Sequence, residues 1–266
     1  HLNRREKRFR LRKNNGKLEI EFDSPVDAAA QSGICNHVAE YELPLNTTEE
    51  ICLDSIQPSQ QDNDSLSAAA LIDEEDQARS GTYAILSALL GGIPDQNLID
   101  YLRHIEDPVD NEAPGDMGEA WLALREAASV IETSALDDEY HALFIGLGRG
   151  EVVPFGSWHL TGFLMEKPLS DLRDDLRDLG FEADGDCREP EDHIAAICEA
   201  ISLLIGSPDV ESYRQRVFFM KHLHPWGEQF FRELQSAKSA SFYRAVGLLG
   251  ERFMQLENRY LNVQQH

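Results

Sequence analysis

Apolar residues recur at three- and four-residue spacing through most of the chain after about Ser67, a spacing typical of amphipathic helices. The first apolar stripe ends at Gly91-Gly92, residues that favour a helix C-cap. Pro94 opens the next predicted helix, and Pro168 stands where a first-turn proline belongs. The predicted apolar faces are Tyr83, Leu86, Leu89 and Leu90; Leu98, Ile99, Leu102 and Ile105; Trp121, Leu124, Ala128 and Ile131; Tyr140, Leu143 and Phe144; Leu169, Leu172, Leu176 and Leu179; Ile194, Ile197, Ile201 and Leu204; Val217, Met220 and Leu223; Phe230, Phe231 and Leu234; and Phe242, Val246, Leu249, Phe253 and Leu256. No run of three or more strands interrupts them. The sequence therefore predicts an all-α, multi-helix bundle.

Changes in this pattern predict the domain organisation. Residues 1–66 lack helical periodicity and include a polar stretch, Pro58–Ser65, so we predict a poorly ordered extension with little core and one short strand at Lys17–Phe22. Residues 67–145 and 161–266 are predicted as two helical subdomains. Between them, residues 146–160 are predicted as a hinge or binding loop, because glycines and Pro154 prevent a regular helix there.

Charge is distributed unevenly along the chain. The net formal charge is −24, from 24 basic and 48 acidic side chains. Residues 1–17 hold eight of the basic and one of the acidic side chains, so the remainder has 16 and 47, a formal charge of −31. Such a surface repels nucleic acid and membranes and attracts cationic peptides. The alternative interpretation is that the charge serves only solubility.

Several classes of protein and site are disfavoured. No apolar run reaches the roughly 18 to 20 residues that span a bilayer, which predicts a cytoplasmic protein without stable membrane insertion. The four cysteines lack metal-ligand spacing and are expected to be reduced, structural thiols. The glycines of Gly146–Gly150 lack the flanking elements of a phosphate-binding loop.

Two clusters of polar residues are the candidates for function: Glu189–His193 and His222–Trp226. Proline followed by acids is favoured at a helix N-terminus, so the first cluster has a purely structural interpretation. Zinc binding by His193, Glu199 and the His222/His224 pair is disfavoured, because the spacing does not place ligands on one helical face. Hydrolysis by Asp192 and His193 remains the alternative function, although no nucleophile accompanies them.

Five segments in order then resemble one known family. They are Glu139–Gly146, Pro154–Ser157, Glu189–His193, His222–Trp226 and Phe242–Ala245, and together they resemble the TorD/DmsD family of redox-enzyme maturation chaperones over about residues 75 to 261. The resemblance implies an all-helical, two-subdomain cytoplasmic protein with no catalytic site, metal or cofactor. It implies binding of the twin-arginine signal peptide and the apo catalytic subunit of a molybdopterin oxidoreductase during molybdenum-cofactor insertion, before export.

The resemblance also implies a peptide-binding region and further partners. The residues that match the family's peptide-binding positions are Leu143, Phe144, Pro154, Phe155, Ser157, Asp192, His193, Pro225 and Trp226. Molybdenum-cofactor biosynthesis proteins are further partners that it implies, and some members bind guanine nucleotides weakly. Two features depart from the family pattern: His159 replaces an aromatic residue, and the 66-residue extension has no counterpart.

The chemistry of a twin-arginine peptide gives an independent reason to expect these residues. Its apolar segment requires a groove and its guanidinium groups require carboxylates. We expect Asp192, Glu191 or the acidic surface to bind the guanidinium groups. The residues expected to line the groove are Leu143, Phe144, Phe155, Trp158 and Trp226. Arg4-Arg5 in the basic arm raises the hypothesis that this arm occupies the groove in cis.

Overall fold

The computed structural model describes residues 8–14, 17–23, 74–105, 115–146, 150–181, 190–207 and 210–263. In these ranges the chain forms ten α-helices, one π-helical turn and one two-stranded hairpin, which confirms the predicted all-α fold of the helical region. The elements are β1 (Arg8–Asn14), β2 (Lys17–Asp23), α1 (Glu74–Leu90), α2 (Gln96–Arg103), α3 (Asp116–Val130), α4 (Thr133–Tyr140), the π-helical turn (His141–Ile145), α5 (Gly156–Thr161), α6 (Lys167–Asp178), α7 (Ile194–Gly206), α8 (Ser212–His222), α9 (Gly227–Ser236) and α10 (Phe242–Val263).

The hairpin contains the strand that period-two alternation predicts at Lys17–Phe22. Strand β2 pairs antiparallel with β1, in a register that sets Arg10 opposite Glu21 and Arg12 opposite Glu19. The pairing with β1 was not predicted, because that segment was assigned to a basic tail. The rest of the predicted extension, apart from these two strands, lies outside the described residues.

Helix α1 packs against α7, and α10 packs against α9 and α3. The apolar faces of these helices contribute to one contiguous core that includes Tyr83 in α1, Ile201 in α7 and Phe253 in α10. The core draws on residues from both predicted subdomains. The division into subdomains around a hinge at 146–160 stays a prediction.

Two predicted core positions are wrong: Val217 in α8 and Leu256 in α10 are exposed. In α8 the neighbouring Phe218 and Phe219 are buried, because that face of the helix turns toward the core. In α10 the next residue, Glu257, faces inward instead of Leu256. Glu257 faces inward because it has a buried polar partner, which an analysis of apolar spacing alone does not detect.

That partner is Arg79, which forms a buried ion pair with Glu257. Arg79 Nε and Nη2 donate to the two oxygens of Glu257 at 2.6 and 2.9 Å, and the Tyr83 hydroxyl donates to the same carboxylate at 3.1 Å. The guanidinium also lies 4.3 Å from the ring centroid of Tyr260. Burial acts to lower the pKa of Arg79, but the contacts with Glu257 offset this effect and raise it above its ordinary value. The pair joins α1 to α10.

One of the four cysteines lies in the described ranges. Cys198 in α7 is a buried free thiol, and burial raises its pKa above the ordinary value. Such a thiol is unreactive, in keeping with the structural role expected of it. The predictions for Cys35, Cys52 and Cys187 lie outside the described residues.

Candidate functional site

The segments Pro154–Ser157 and Asp192–Ile194 lie side by side, although they are separated by more than thirty residues in the sequence. The Gly156 N–H donates to the Asp192 carbonyl at 2.9 Å, and the Ile194 N–H donates to the Pro154 carbonyl at 2.8 Å. Between these bonds, Phe155 and His193 form an antiparallel bridge. The structure thus brings together two of the segments that the sequence singled out.

Asp192 has one satisfied and one unsatisfied carboxylate oxygen. Its side chain is only 3% exposed, and Oδ2 accepts a hydrogen bond from the Ser157 N–H at 2.7 Å in the first turn of α5. Oδ1 is buried and has no hydrogen-bond partner among the described residues. An unpaired buried acceptor costs about 1–3 kcal/mol, and more when it is charged. Oδ1 is therefore the place in this site where a ligand donor would be most favourable.

His193 supports the start of α7. Its Nδ1 accepts a hydrogen bond from the Ala195 N–H at 3.2 Å, so the ring acts as the N-cap of that helix. The imidazole also meets the Phe155 ring edge to face, with 5.1 Å between the centroids. Since Nδ1 is the acceptor, the proton of the neutral ring lies on Nε2. His193 therefore positions Phe155 and the neighbouring Asp192.

Glu191 already contacts a guanidinium. Arg173 in α6 donates through Nε at 2.8 Å and through Nη2 at 2.7 Å to the same Glu191 oxygen. Partial burial acts to raise the pKa of Glu191, but the hydrogen bond from Arg173 offsets this and lowers it below its ordinary value. The pKa of Arg173 is raised, first by its hydrogen bond to Glu191 and to a smaller extent by the charge of Asp192. A guanidinium–carboxylate contact is therefore already present at Glu191.

Trp226 lies beneath the site and does not line it, which corrects the expectation from the sequence. Its indole is 2% exposed and donates from Nε1 to the His222 carbonyl at 2.7 Å. The ring stacks on His159 with centroids 5.1 Å apart, and His159 Nε2 lies 2.8 Å from the Val153 carbonyl oxygen. A Cβ at Gly156 would lie 3.1 Å from the indole, so the loop rests directly on Trp226. His159 therefore makes a stacking contact with Trp226, although it is not one of the aromatic residues that the family pattern has at this position.

Leu143 and Phe144 belong to another part of the core. Leu143 is fully buried and therefore does not line a groove either, while Phe144 is half-buried against the rings of Tyr140 and Tyr243 at 5.0 and 5.3 Å. Both lie in the π-helical turn. Its Leu143 carbonyl accepts from the Val152 N–H at 2.9 Å, and a Cβ at Gly150 would lie 2.3 Å from that carbonyl oxygen. Because Gly150 has no Cβ, the segment from Gly150 to Pro154 can pass close to the π-helical turn.

The remaining predicted site residues differ in exposure. Phe155 and Trp158 are half-buried at the surface and Pro225 is exposed, whereas Pro154 and Ser157 are buried. The surface of the candidate site therefore consists of Phe155, Trp158 and Glu191 around the buried Asp192. The other predicted residues support this surface from within.

Sequence reasoning missed two features of this region. The first is Glu139, a buried carboxylate that accepts hydrogen bonds from the backbone N–H groups of Ser241, Phe242 and Tyr243 at 2.7–3.1 Å and so caps α10. Glu139 and Phe242 are the first residues of two segments that carry the family resemblance, Glu139–Gly146 and Phe242–Ala245, and the Phe242 N–H donates to Glu139 in the structure. These segments hold the fold together.

The second missed feature is an exposed apolar segment next to the site, Leu160–Met165, which consists of the last two residues of α5 and the loop that follows; we call it the exposed apolar loop. Its four large apolar side chains, Leu160, Phe163, Leu164 and Met165, are 42% to 71% exposed. They were overlooked because they follow no helical or strand periodicity. The available signal was the run of apolar residues directly after Gly162, a segment that the sequence analysis assigned to the second helical subdomain.

The zinc alternative finds no support in the described ranges, where no group of three or more His, Cys, Asp or Glu side chains is placed to hold a metal ion. His222 instead contacts Asp175, with Nε2 and Oδ2 2.5 Å apart, and Lys221 Nζ lies 2.5 Å from the same oxygen. These contacts join α8 to α6. None of the helices that the structure describes is long and apolar enough to cross a membrane.

Comparison with known proteins gives relatives of one kind. A sequence model of the family described as nitrate reductase delta subunit matches residues 110–232. The chaperone protein TorD of Vibrio parahaemolyticus is 24% identical over 176 residues, which are 62% of this chain and 72% of that protein. The probable Tat proofreading chaperone DmsD of Haemophilus influenzae is 28% identical over 118 residues, 43% of this chain and 56% of that protein. A crystal structure of a putative redox enzyme maturation protein from Archaeoglobus fulgidus has a TM-score of 0.46 and 17% identity, covering 66% of this chain and 93% of that one.

The chain is thus similar to the chaperone proteins TorD and DmsD. Asp192 and His193 both accept hydrogen bonds from backbone N–H groups, those of Ser157 and Ala195, and so hold the backbone in place.

Proposed function

We propose that this chaperone binds the twin-arginine signal peptide of a molybdopterin oxidoreductase at the surface around Asp192. It holds the apo catalytic subunit while the molybdenum cofactor is inserted and delays export until folding is complete. The observation that supports this most directly is the buried Asp192 Oδ1, which has no partner in the described structure. One of the relatives is named a Tat proofreading chaperone, which agrees with the same proposal.

A guanidinium is the donor that fits this carboxylate. It presents several N–H groups in a planar fork and stays charged in a partly buried site, which an ammonium group does less well. The contact between Arg173 and Glu191 shows that a guanidinium is accommodated beside Asp192. One peptide arginine would bind Asp192 Oδ1, and the second would lie near Glu191 in this proposal.

The chain's charge favours capture of such a peptide. With a net charge of −24, the protein attracts a cationic segment over a distance comparable to the Debye length, about 10 Å at 0.1 M salt. Such attraction raises the association rate more than it raises the final affinity. The half-buried Phe155 and Trp158 supply apolar contact next to the carboxylate.

Titration calorimetry with a twin-arginine peptide tests the proposal through Asp192→Asn. The amide keeps an acceptor for the Ser157 N–H but presents a donor group where Oδ1 was, so it opposes a guanidinium. We expect a loss of about 1.5–3 kcal/mol in binding free energy, the value of a charge-assisted hydrogen bond. Asp100→Asn, at an exposed position in α2, is the matched control with the same change in net charge.

The control variant should bind like the wild type at moderate salt. A peptide with both arginines changed to lysine should bind the wild type more weakly, by a similar amount. Equal affinities for wild-type protein and a folded Asp192→Asn variant would refute the proposed site. Cytoplasmic residence follows from the same proposal, because cofactor insertion precedes export. Contacts with cofactor-biosynthesis proteins and weak guanine-nucleotide binding stay predictions.

A further inference from the structure

We propose that the exposed apolar loop, Leu160–Met165, binds the apolar segment that follows the arginine pair of the same signal peptide. This inference rests on the proposed function, because it assumes that the arginine pair binds at Asp192. It assigns the specificity for the hydrophobic part of the ligand to a surface outside the predicted site residues.

The loop displays an unusual density of exposed apolar side chains. Four of its six residues are large and apolar, and each is 42% or more exposed. Elsewhere in the described ranges, exposed apolar residues such as Val130 and Tyr213 lie in helices with exposed polar neighbours. Single exposed apolar residues are ordinary, but contiguous ones mark interaction sites.

The loop is held in a defined conformation by side-chain hydrogen bonds. Thr161 Oγ1 donates to the Ser157 carbonyl at 2.8 Å and lies 3.2 Å from the Phe163 N–H, which donates to it. The Gly162 N–H donates to the Trp158 carbonyl at 2.8 Å, in a left-handed conformation with φ of 80°. These bonds turn the chain sharply after α5, so that Phe163 and Leu164 point away from the core into solvent.

Met165 has a backbone conformation that is unfavourable for a residue with a side chain. Its φ is 60°, and it is the only described non-glycine residue with a positive φ. The Met165 N–H donates to Ser157 Oγ at 3.2 Å, which stabilises this conformation. Residues held in the left-handed region occur preferentially at ligand-binding sites. The protein therefore expends free energy to hold an exposed apolar loop in place.

Ser157 connects this loop to the carboxylate. Its backbone N–H donates to Asp192, and its hydroxyl accepts from the Met165 N–H, so two hydrogen bonds separate Asp192 from the loop. An extended peptide advances about 3.3 Å per residue, so a few residues are enough to pass from one to the other. Signal peptides place roughly 7 to 15 apolar residues directly after their charged region. The two surfaces are therefore close enough together for two adjacent parts of one ligand.

A membrane surface and a second copy of this chain are the competing occupants. The net charge of −24 opposes approach to an anionic membrane, and it opposes self-association as well. A peptide with a cationic start and an apolar continuation meets both the carboxylate and the loop with complementary chemistry. The charge of the protein therefore favours the peptide.

The test combines two peptides with matched protein variants of the full chain. One peptide carries the arginine pair and its apolar segment, and the other replaces that segment with serine and glycine. The loop variant is Phe163→Ser with Leu164→Ser, and the control is Val130→Ser with Tyr213→Ser, which also removes two exposed apolar side chains. Because both pairs are exposed, circular dichroism should show unchanged folding.

We expect the loop variant to bind the apolar peptide roughly ten- to a hundredfold more weakly than the wild type does. Its affinity for the serine and glycine peptide should equal that of the wild type, and the loss should not depend on salt, because apolar burial is not screened. The control variant should bind both peptides normally. This pattern would establish coupling between the loop and the apolar segment.

Other results overturn the inference in distinguishable ways. If Asp192→Asn weakens binding and the loop variant does not, the loop assignment is wrong and the proposed function stands. If neither variant weakens binding, or the wild type binds neither peptide, the proposed function itself fails. Loop-dependent binding to vesicles of anionic phospholipid, or a loop-dependent dimer in sedimentation, with unchanged peptide affinity, would assign the loop to a membrane or to a second copy.

Discussion

Arg79 in α1 and Glu257 in α10 form a bidentate ion pair inside the core, with N–O distances of 2.6 and 2.9 Å. The residues are 178 positions apart in the sequence. Removing Glu257 would leave the buried Arg79 guanidinium with Asp76 as its remaining charged partner, which is more costly than replacing both members of the pair. The pair therefore fixes the relation of the first helix of the core to the last.

This pair gives the first prediction. Glu257→Leu should lower the free energy of unfolding by up to about 3–5 kcal/mol, because the buried Arg79 guanidinium then keeps only Asp76 as a charged partner. The double variant Arg79→Met with Glu257→Leu should recover most of that loss, since no charge is then left buried. Urea unfolding followed by circular dichroism measures both. A double variant as unstable as the single one would show that packing, and not charge compensation, dominates here.

The second prediction concerns the cap on α10. Glu139→Gln keeps the shape of the side chain but removes the charge that three backbone N–H groups contact, and we expect a loss of about 1–2 kcal/mol in unfolding free energy. Glu151→Gln is the control, because this exposed carboxylate contacts the Lys238 and Ser239 N–H groups just before α10. Thermal unfolding should show a clearly larger effect at position 139. Equal effects would mean that burial of the cap is unimportant.

The third prediction is a pH dependence of stability from His222. Burial lowers the pKa of His222 below 6.5, and the contact with Asp175 offsets this only in part. Because the folded pKa is below the unfolded one, the unfolded chain binds more protons near pH 6, and stability falls as the pH falls through this range. Unfolding free energies at pH 7.5 and 5.5 should therefore drop less in His222→Gln than in the wild type.

His224→Gln is the control for this experiment, since His224 is exposed. It should lose as much stability on acidification as the wild type does. The chosen range stays above the region where carboxylates such as Asp175, whose pKa is lowered, take up protons. An unchanged drop in His222→Gln would assign the pH dependence to another group.

The fourth prediction separates support of the site from contact with the ligand. Trp226→Ala should cost about 3–5 kcal/mol of stability, because the indole is buried under Gly156. Trp226→Phe should cost less and leave peptide affinity near that of the wild type. Phe155→Ala should instead weaken binding with a smaller effect on stability, since Phe155 is half-buried at the surface. Calorimetry paired with thermal unfolding measures both quantities for each variant.

The opposite outcome for either residue would contradict these assigned roles. If Trp226→Phe weakens peptide binding while stability stays unchanged, the indole contacts the ligand in the bound state and the site opens on binding. If Phe155→Ala changes neither quantity, the ligand does not contact this part of the surface.

Much of the helical architecture follows from the sequence, because apolar spacing and glycine stops are local signals. Gly91 follows α1 directly, as predicted, and Gly180, with φ of 87°, follows the C-cap of α6. The prediction that Leu256 faces the core was wrong, because Glu257 points inward to form an ion pair with Arg79 in α1. The π-helical turn was not predictable either, since its carbonyls bond to residues that follow a loop.

The candidate site was predictable in composition but not in layout. The sequence identified Asp192, Phe155 and Trp226 together, yet burial of the indole beneath the loop depends on tertiary contacts with His159 and His222. An aromatic ring that supports a site and one that contacts a ligand have the same sequence signature. The exposed loop escaped notice because its residues follow no periodicity.

The pairing of α1 with α10 also constrains when the protein can fold during its own synthesis. Arg79 and Tyr83 cannot form their hydrogen bonds to Glu257 until α10 has been synthesised. The same holds for the Leu89 carbonyl, which accepts a hydrogen bond from the Tyr243 hydroxyl at 2.9 Å. Contacts of such long sequence separation slow folding and require the late segment to leave the ribosome. A nascent chain that lacks α10 would retain unpaired polar groups in its first helix. The core should therefore be completed only after α10 has left the ribosome, and the partly made chain would be prone to aggregate until then.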